Sequence, residues 1–167
     1  MKVNLITGAI CAVLLGLLCG CSGEQAPEKS SEPKEIASFR FTHRGSETNQ
    51  CFVYSMEAGA DGVRLYTEGL YLGGPIVDCI IDEAALGELE TMVWNHGLDQ
   101  WDGFSKKAKD VSDGTGFYLS ILYADETCVS AEGSNRFPDG YAEAKEEICE
   151  LFEYLIEQYG SEEETKP

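Results

Sequence analysis

The hydrophobic patterning of this chain predicts an α+β domain. It would be an antiparallel sheet of about five strands, in the order β-β-β-α-β-β-α, with two helices packed on one face. Three observations carry the prediction. Several stretches alternate apolar and polar residues with a period of two, which is the pattern of a half-buried strand. Two other stretches repeat their apolar residues every three or four positions, the pattern of a helix with one buried side. Glycine, proline and aspartate separate them into short segments.

In chain order, "IASFRFTHRG" sets Ala37, Phe39 and Phe41 against Ser38, Arg40 and Thr42. His43 closes what reads as an edge-like strand beside Arg44, and is expected at the surface. "NQCFVYSMEAGADG" places Phe52, Tyr54 and Met56 on one face and ends in a glycine-rich turn. "VRLYTEGLYLGG" and "PIVDCII" supply one or two further strands, divided by Gly69 and by Gly73-Gly74-Pro75. Asp82 then caps a helix whose buried stripe is Leu86, Leu89 and Val93 with Met92 beside it, and Gly97 ends it. A long loop over residues 99–116 leads to the hairpin "GFYLSILYADETCVSAEG", with its turn at Ala124–Thr127. The last helix opens near Pro138 and runs to about Tyr159. Tyr141, Ala144, Ile148, Phe152, Leu155 and Tyr159 fall on one side of it.

The chain is 167 residues long with a net charge of −18, which argues against nucleic acid and against close contact with anionic lipid. Only two histidines are present, His43 and His96, and His96 sits in the last turn of its helix as a capping or packed residue. No nucleophile elbow, zinc-protease, P-loop or dinucleotide fingerprint occurs. The run Glu57-Gly59-Asp61-Gly62 with Glu68 imitates the spacing of a calcium loop. Gly59 has no side-chain ligand, however, and strand patterns flank it, so a plain hairpin turn is the reading. No metal site and no cofactor is expected. Cys51, Cys79, Cys128 and Cys149 lie in no close Cys-x-x-Cys pair, which disfavours a zinc ribbon or a redox dithiol. They can be buried thiols or can pair as disulfides in one of three ways.

Two surfaces are candidates for recognition. The loop holds Trp101 and Phe104 beside the one dense basic cluster, Lys106, Lys107 and Lys109, a combination suited to a glycan or an acidic peptide. The competing reading tucks Trp101 and Phe104 beneath the loop. On the last helix Glu143, Glu146, Glu147 and Glu150 form a single-sign docking face for a basic segment.

The amino-terminal residues speak to location. Lys2 precedes an apolar run from Leu5 to Leu18, the length of a secretory leader and short of the roughly 20 residues a membrane span needs. The run closes as Leu18-Cys19-Gly20-Cys21, which resembles the bacterial lipobox, with a small residue before an obligatory cysteine. The resemblance implies cleavage after Gly20 and a lipid on Cys21. Residues 1–20 are thus a lipoprotein signal peptide, and 21–35 are the lipidated cysteine with a disordered tether, "SGEQAPEKSSEPKE". Residues 36–160 are one domain, and 161–167 an acidic tail. The expected location is the cell membrane, lipid-anchored and facing outside the cytoplasm.

A second resemblance covers residues 82–157. The upstream "LGELETMVWNHGLDQWDGF" reads as a helix followed by Trp-x-Gly-Phe. A hairpin then ends Glu132-Gly133-Ser134-Asn135-Arg136-Phe137-Pro138 before a helix. This resembles a strand–S-G-x-N-x-[YF]-P–helix pattern of exported lipoproteins from Gram-positive gut bacteria, with Glu-Gly here in place of Ser-Gly. The pattern implies a fold and brings no catalytic residues. The functional expectation is a membrane-anchored, non-enzymatic binding module for a basic protein or envelope component. The alternatives are a carboxylate-using envelope enzyme acting on glycans, or a divalent-cation binder.

Overall fold

A computed structural model describes residues 32–47, 50–70, 74–109 and 114–160. The leader, Cys21, most of the tether and the acidic tail lie outside the described residues.

The alternating segments form β1 (Ile36–Arg44), β2 (Cys51–Gly59), β3 (Gly62–Gly69) and β4 (Pro75–Ile81). Helix α1 (Ala84–His96) follows, then a single 3₁₀ turn (Leu98–Trp101) and a short β5 (Ser105–Lys107). The last hairpin is β6 (Gly116–Tyr123) and β7 (Cys128–Ser134), and α2 (Tyr141–Tyr159) closes the domain. One seven-stranded sheet runs β4-β3-β2-β1-β6-β7-β5. Every pairing is antiparallel except β5 with β7, which is parallel.

The fold class is therefore α+β, but the sheet has seven strands rather than about five. The segments at residues 62–69 and 75–81 are two separate strands, and β5 adds another. β5 escapes a periodicity reading because its three residues are polar and exposed. Backbone pairing holds it instead. Glu132 N–H donates to Phe104 O at 2.8 Å and Ala108 N–H to Ser134 O at 2.8 Å.

Both helices supply side chains to the core that covers one face of the sheet. Phe39, Phe41, Met56, Leu65, Leu119 and Ile121 are sealed under Leu89 of α1 and Ile148 and Phe152 of α2. Asp82 Oδ1 accepts the Ala84 N–H at 2.8 Å at the start of α1, and Gly97 ends it in the left-handed conformation at φ 61°. The opposite face carries Arg40, Arg44, Arg64, Glu57 and Tyr118, all exposed.

One expectation fails outright. His43 is not a surface residue of an edge strand; it is 5% exposed. β1 is the central strand, with three strands on each side of it. The period-two pattern that buries Phe39 and Phe41 carries on to His43 and turns it inward, where Tyr141 of α2 covers it. A polar residue at the end of an apolar alternation was the misleading sign.

The chain enters the domain under restraint. Ile36 N–H donates to Glu90 Oε1 at 2.8 Å, and Ala124 N–H to Glu35 O at 3.0 Å. Lys34 Nζ lies 4.9 Å from the centre of the Tyr123 ring and 3.7 Å from Asp125 Oδ2.

Candidate functional site

Two clefts open at the same end of the sheet, one on each face. On the helix side, register sets the shape. The last inward-facing row reads Gly133, Phe117, His43, Phe52, Gly69 across β7, β6, β1, β2 and β3. Three rings stand in the middle with a glycine at each end, so among the described residues no side chain of this row fills the space beyond Phe52. The amino-terminal half of α2 lies over this gap and encloses a cleft of about 1300 Å³.

Its walls are aromatic. Phe52 stacks on Tyr54 at 4.3 Å, and Tyr54 on Phe152 at 4.6 Å with their planes 3° apart. Phe137 stacks on Tyr141 at 4.5 Å, and Tyr141 meets Phe117 at 4.7 Å. Offset ring pairs of this kind add about 1 kcal/mol each beyond their buried area. Among these walls His43 Nδ1 lies 2.9 Å from the Tyr141 hydroxyl. Burial, reinforced by the Lys145 ammonium, pushes the His43 imidazole down to about 4, so it is neutral at pH 7. With its proton on Nε2, the Tyr141 hydroxyl donates to Nδ1. Burial also raises the Tyr54 and Tyr141 hydroxyls well above the ordinary tyrosine range. Lys145, Glu146, Glu150 and Glu153 line the mouth.

The second cleft, about 610 Å³, lies on the helix-free face. Two outward rows build it. One reads Thr42, Tyr118, Glu132, Ser105 and the next Arg44, Gly116, Ser134, Lys107, across β1, β6, β7 and β5. Ser105 Oγ donates to Glu132 Oε1 at 2.8 Å. Lys106 also lines the rim, its ammonium 5.0 Å from the centre of the Phe104 ring.

The residues singled out from sequence are redistributed by this geometry. Trp101 is 4% exposed and packs edge-on against Phe117 at 6.1 Å, while Phe104 is half-buried against the core. The loop aromatics are thus packing residues. Lys106 and Lys107 reach a cleft, but Lys109 does not line it. The acidic residues of α2 do not form one face. Glu146 and Glu150 border the aromatic cleft, whereas Glu147 Oε2 meets His96 Nε2 of α1 at 2.8 Å. Glu143 is exposed in the first turn of α2.

All four cysteines of the domain are free thiols. Cys51 is buried, and its thiol donates to Glu47 O at 3.4 Å. Burial pushes Cys149 up to about 11, helped by Glu153 and Glu150 and opposed by Lys145, which leaves it an unreactive thiol in the cleft wall. Cys79 is half-buried and Cys128 exposed. Among the described residues no group of three or more His, Cys, Asp or Glu side chains could hold a metal ion, and no helix is long and apolar enough to cross a membrane.

Sequence reasoning missed His43, Tyr141, Phe137, Arg44 and Tyr118. For His43 the signal was present, because it stands two residues beyond Phe41. For Arg44 and Tyr118 the signal was only strand order, which decides which rows become neighbours; Tyr141 and Phe137 join the cleft through the packing of α2 and the segment before it. No known family model matches this chain, and no curated protein matches its sequence.

Proposed function

We propose that this chain is an extracytoplasmic lipoprotein, anchored through lipid on Cys21, whose domain is a non-enzymatic binding module for an envelope glycan. One observation carries the reading: a roomy cleft walled by stacked rings, with carboxylates at its mouth and a neutral imidazole inside. Ligand sites are typically concave and mostly apolar, with a few convergent polar groups. Ring faces suit the apolar face of a sugar, and Glu146, Glu150 and Glu153 can accept its hydroxyls.

The test is co-sedimentation of the full chain with purified insoluble envelope glycan. Phe137→Ala and Glu150→Gln alter side chains that are exposed at the cleft. Each is expected to weaken retention at least tenfold without loss of fold, and retention equal to the parent would overturn the reading. Cys21→Ala is expected to leave the protein uncleaved or released from the membrane.

A second reading, a glycan-cleaving enzyme, is favoured by the same three carboxylates lying in an aromatic cleft. Soluble fragments released by the parent but not by Glu146→Gln or Glu150→Gln would replace binding with turnover.

A further inference from the structure

We infer that the cleft on the helix-free face is a second, independent binding site, and that its ligand is a phosphoryl group carried on a hydroxylated unit. The chain as a whole is strongly acidic, at −18, yet Arg44 and Lys107 converge on one depression, with Glu132 as the single carboxylate among the described residues of its lining. Two cations face one carboxylate, which already accepts the Ser105 hydroxyl, and leave the depression net positive.

Register then explains why the cations can share a ligand. In the row Arg44, Gly116, Ser134, Lys107, the two long basic side chains stand at the ends, with a glycine and a serine between them. Three strand spacings separate the ends by about 14 Å. The missing side chain at Gly116 and the short one at Ser134 leave a notch over which both cations can close. Arginine's fork suits bidentate contact with phosphate oxygens, and lysine adds a point charge. Tyr118 and Thr42 in the adjoining row put hydroxyls beside the same notch.

Among the described residues Arg44 and Lys107 have no ion-pair partner, whereas Arg64 on the same face is held bidentately by Asp78 at 2.8 Å. The distant acidic residues do not cancel the site, because salt screens exposed charges beyond about 8 Å. The site does not depend on the aromatic cleft, since His43 and Arg44 leave β1 toward opposite faces.

The experiment is isothermal titration of the full chain, purified in a non-ionic detergent, with three probes: inorganic phosphate, glycerol 3-phosphate and vesicles containing phosphatidylglycerol. Sodium acetate serves as the carboxylate competitor. Saturable binding of glycerol 3-phosphate is expected, weakened at least tenfold by Arg44→Gln with Lys107→Gln and unchanged by Lys145→Gln, which lies in the other cleft. An unchanged thermal midpoint confirms that the variants fold, and both changes lie on exposed side chains. Binding of inorganic phosphate alone would assign the site to the free ion. Preferential, variant-sensitive binding of vesicles would assign it to a lipid headgroup; both keep the phosphoryl chemistry. Equal affinity in the double variant, equally effective competition by acetate, or no binding of any probe would overturn the proposal.

Discussion

His43 and Arg44 are neighbours in the chain, yet the pleat sends them into two different environments. On the helix side a side chain is enclosed by rings, and a basic group there is held neutral. On the other side, one residue later, the Arg44 guanidinium is exposed. Side-chain direction and residue type together decide what each cleft can recognise. The helix-side cleft offers surfaces and hydrogen-bond acceptors, while the open-face cleft offers charge.

The largest test of this contrast is stability. Phe152 is fully buried and stacked on both Tyr54 and Phe39, so Phe152→Ala is expected to cost about 4 kcal/mol in denaturant unfolding. Tyr118→Ala on the open face, where the ring is 40% exposed, is expected to cost under about 1 kcal/mol. Similar costs at the two sites would erase the distinction between the faces.

Acid provides the next test. His43 is lowered in the folded state, so the unfolded chain takes up its proton first as pH falls. The stabilising contribution is complete above about pH 6.5 and is lost as pH drops toward 4, amounting to about 3 kcal/mol. His43→Phe is expected to flatten the stability profile across that window. Arg44→Gln is expected to leave it unchanged.

Smaller effects follow at single polar atoms. Thr67 is fully buried and its Oγ1 has no hydrogen-bond partner among the described residues. Thr67→Val keeps the shape and removes the orphan, with an expected gain of about 1 kcal/mol in unfolding free energy. On the open face, Arg64→Ala breaks an exposed pair with Asp78 and is expected to shift the thermal midpoint within error, at low salt and high.

Much of the fold was legible because the core obeys simple periods. Phe39 and Phe41, the stripe Leu86, Leu89 and Val93, and the α2 series from Tyr141 to Leu155 all lie where alternation or helical spacing places them. β5 was not legible, since three polar residues held by parallel backbone pairing carry no hydrophobic pattern. The sites were less legible than the fold. Lys106 and Lys107 were visible as a cluster, but Arg44 joins them only because β1 pairs with β6, β6 with β7, and β7 with β5. Trp101, the most conspicuous aromatic of the loop, turned inward because Phe117 and Tyr141 give it a dry surface to cover.

The restrained entry of the chain bears on orientation. Lys34, Glu35 and Ile36 are fastened at one end of β1, and both clefts open around His43 and Arg44 at the other. Eight residue steps of extended strand put about 25 Å between them. If the proposed lipid on Cys21 anchors the chain, the fastened end would be the membrane-proximal one. Both mouths would then look outward, away from the headgroups below. A domain mounted in that way would meet polymers of the envelope above it and turn its back on its own bilayer.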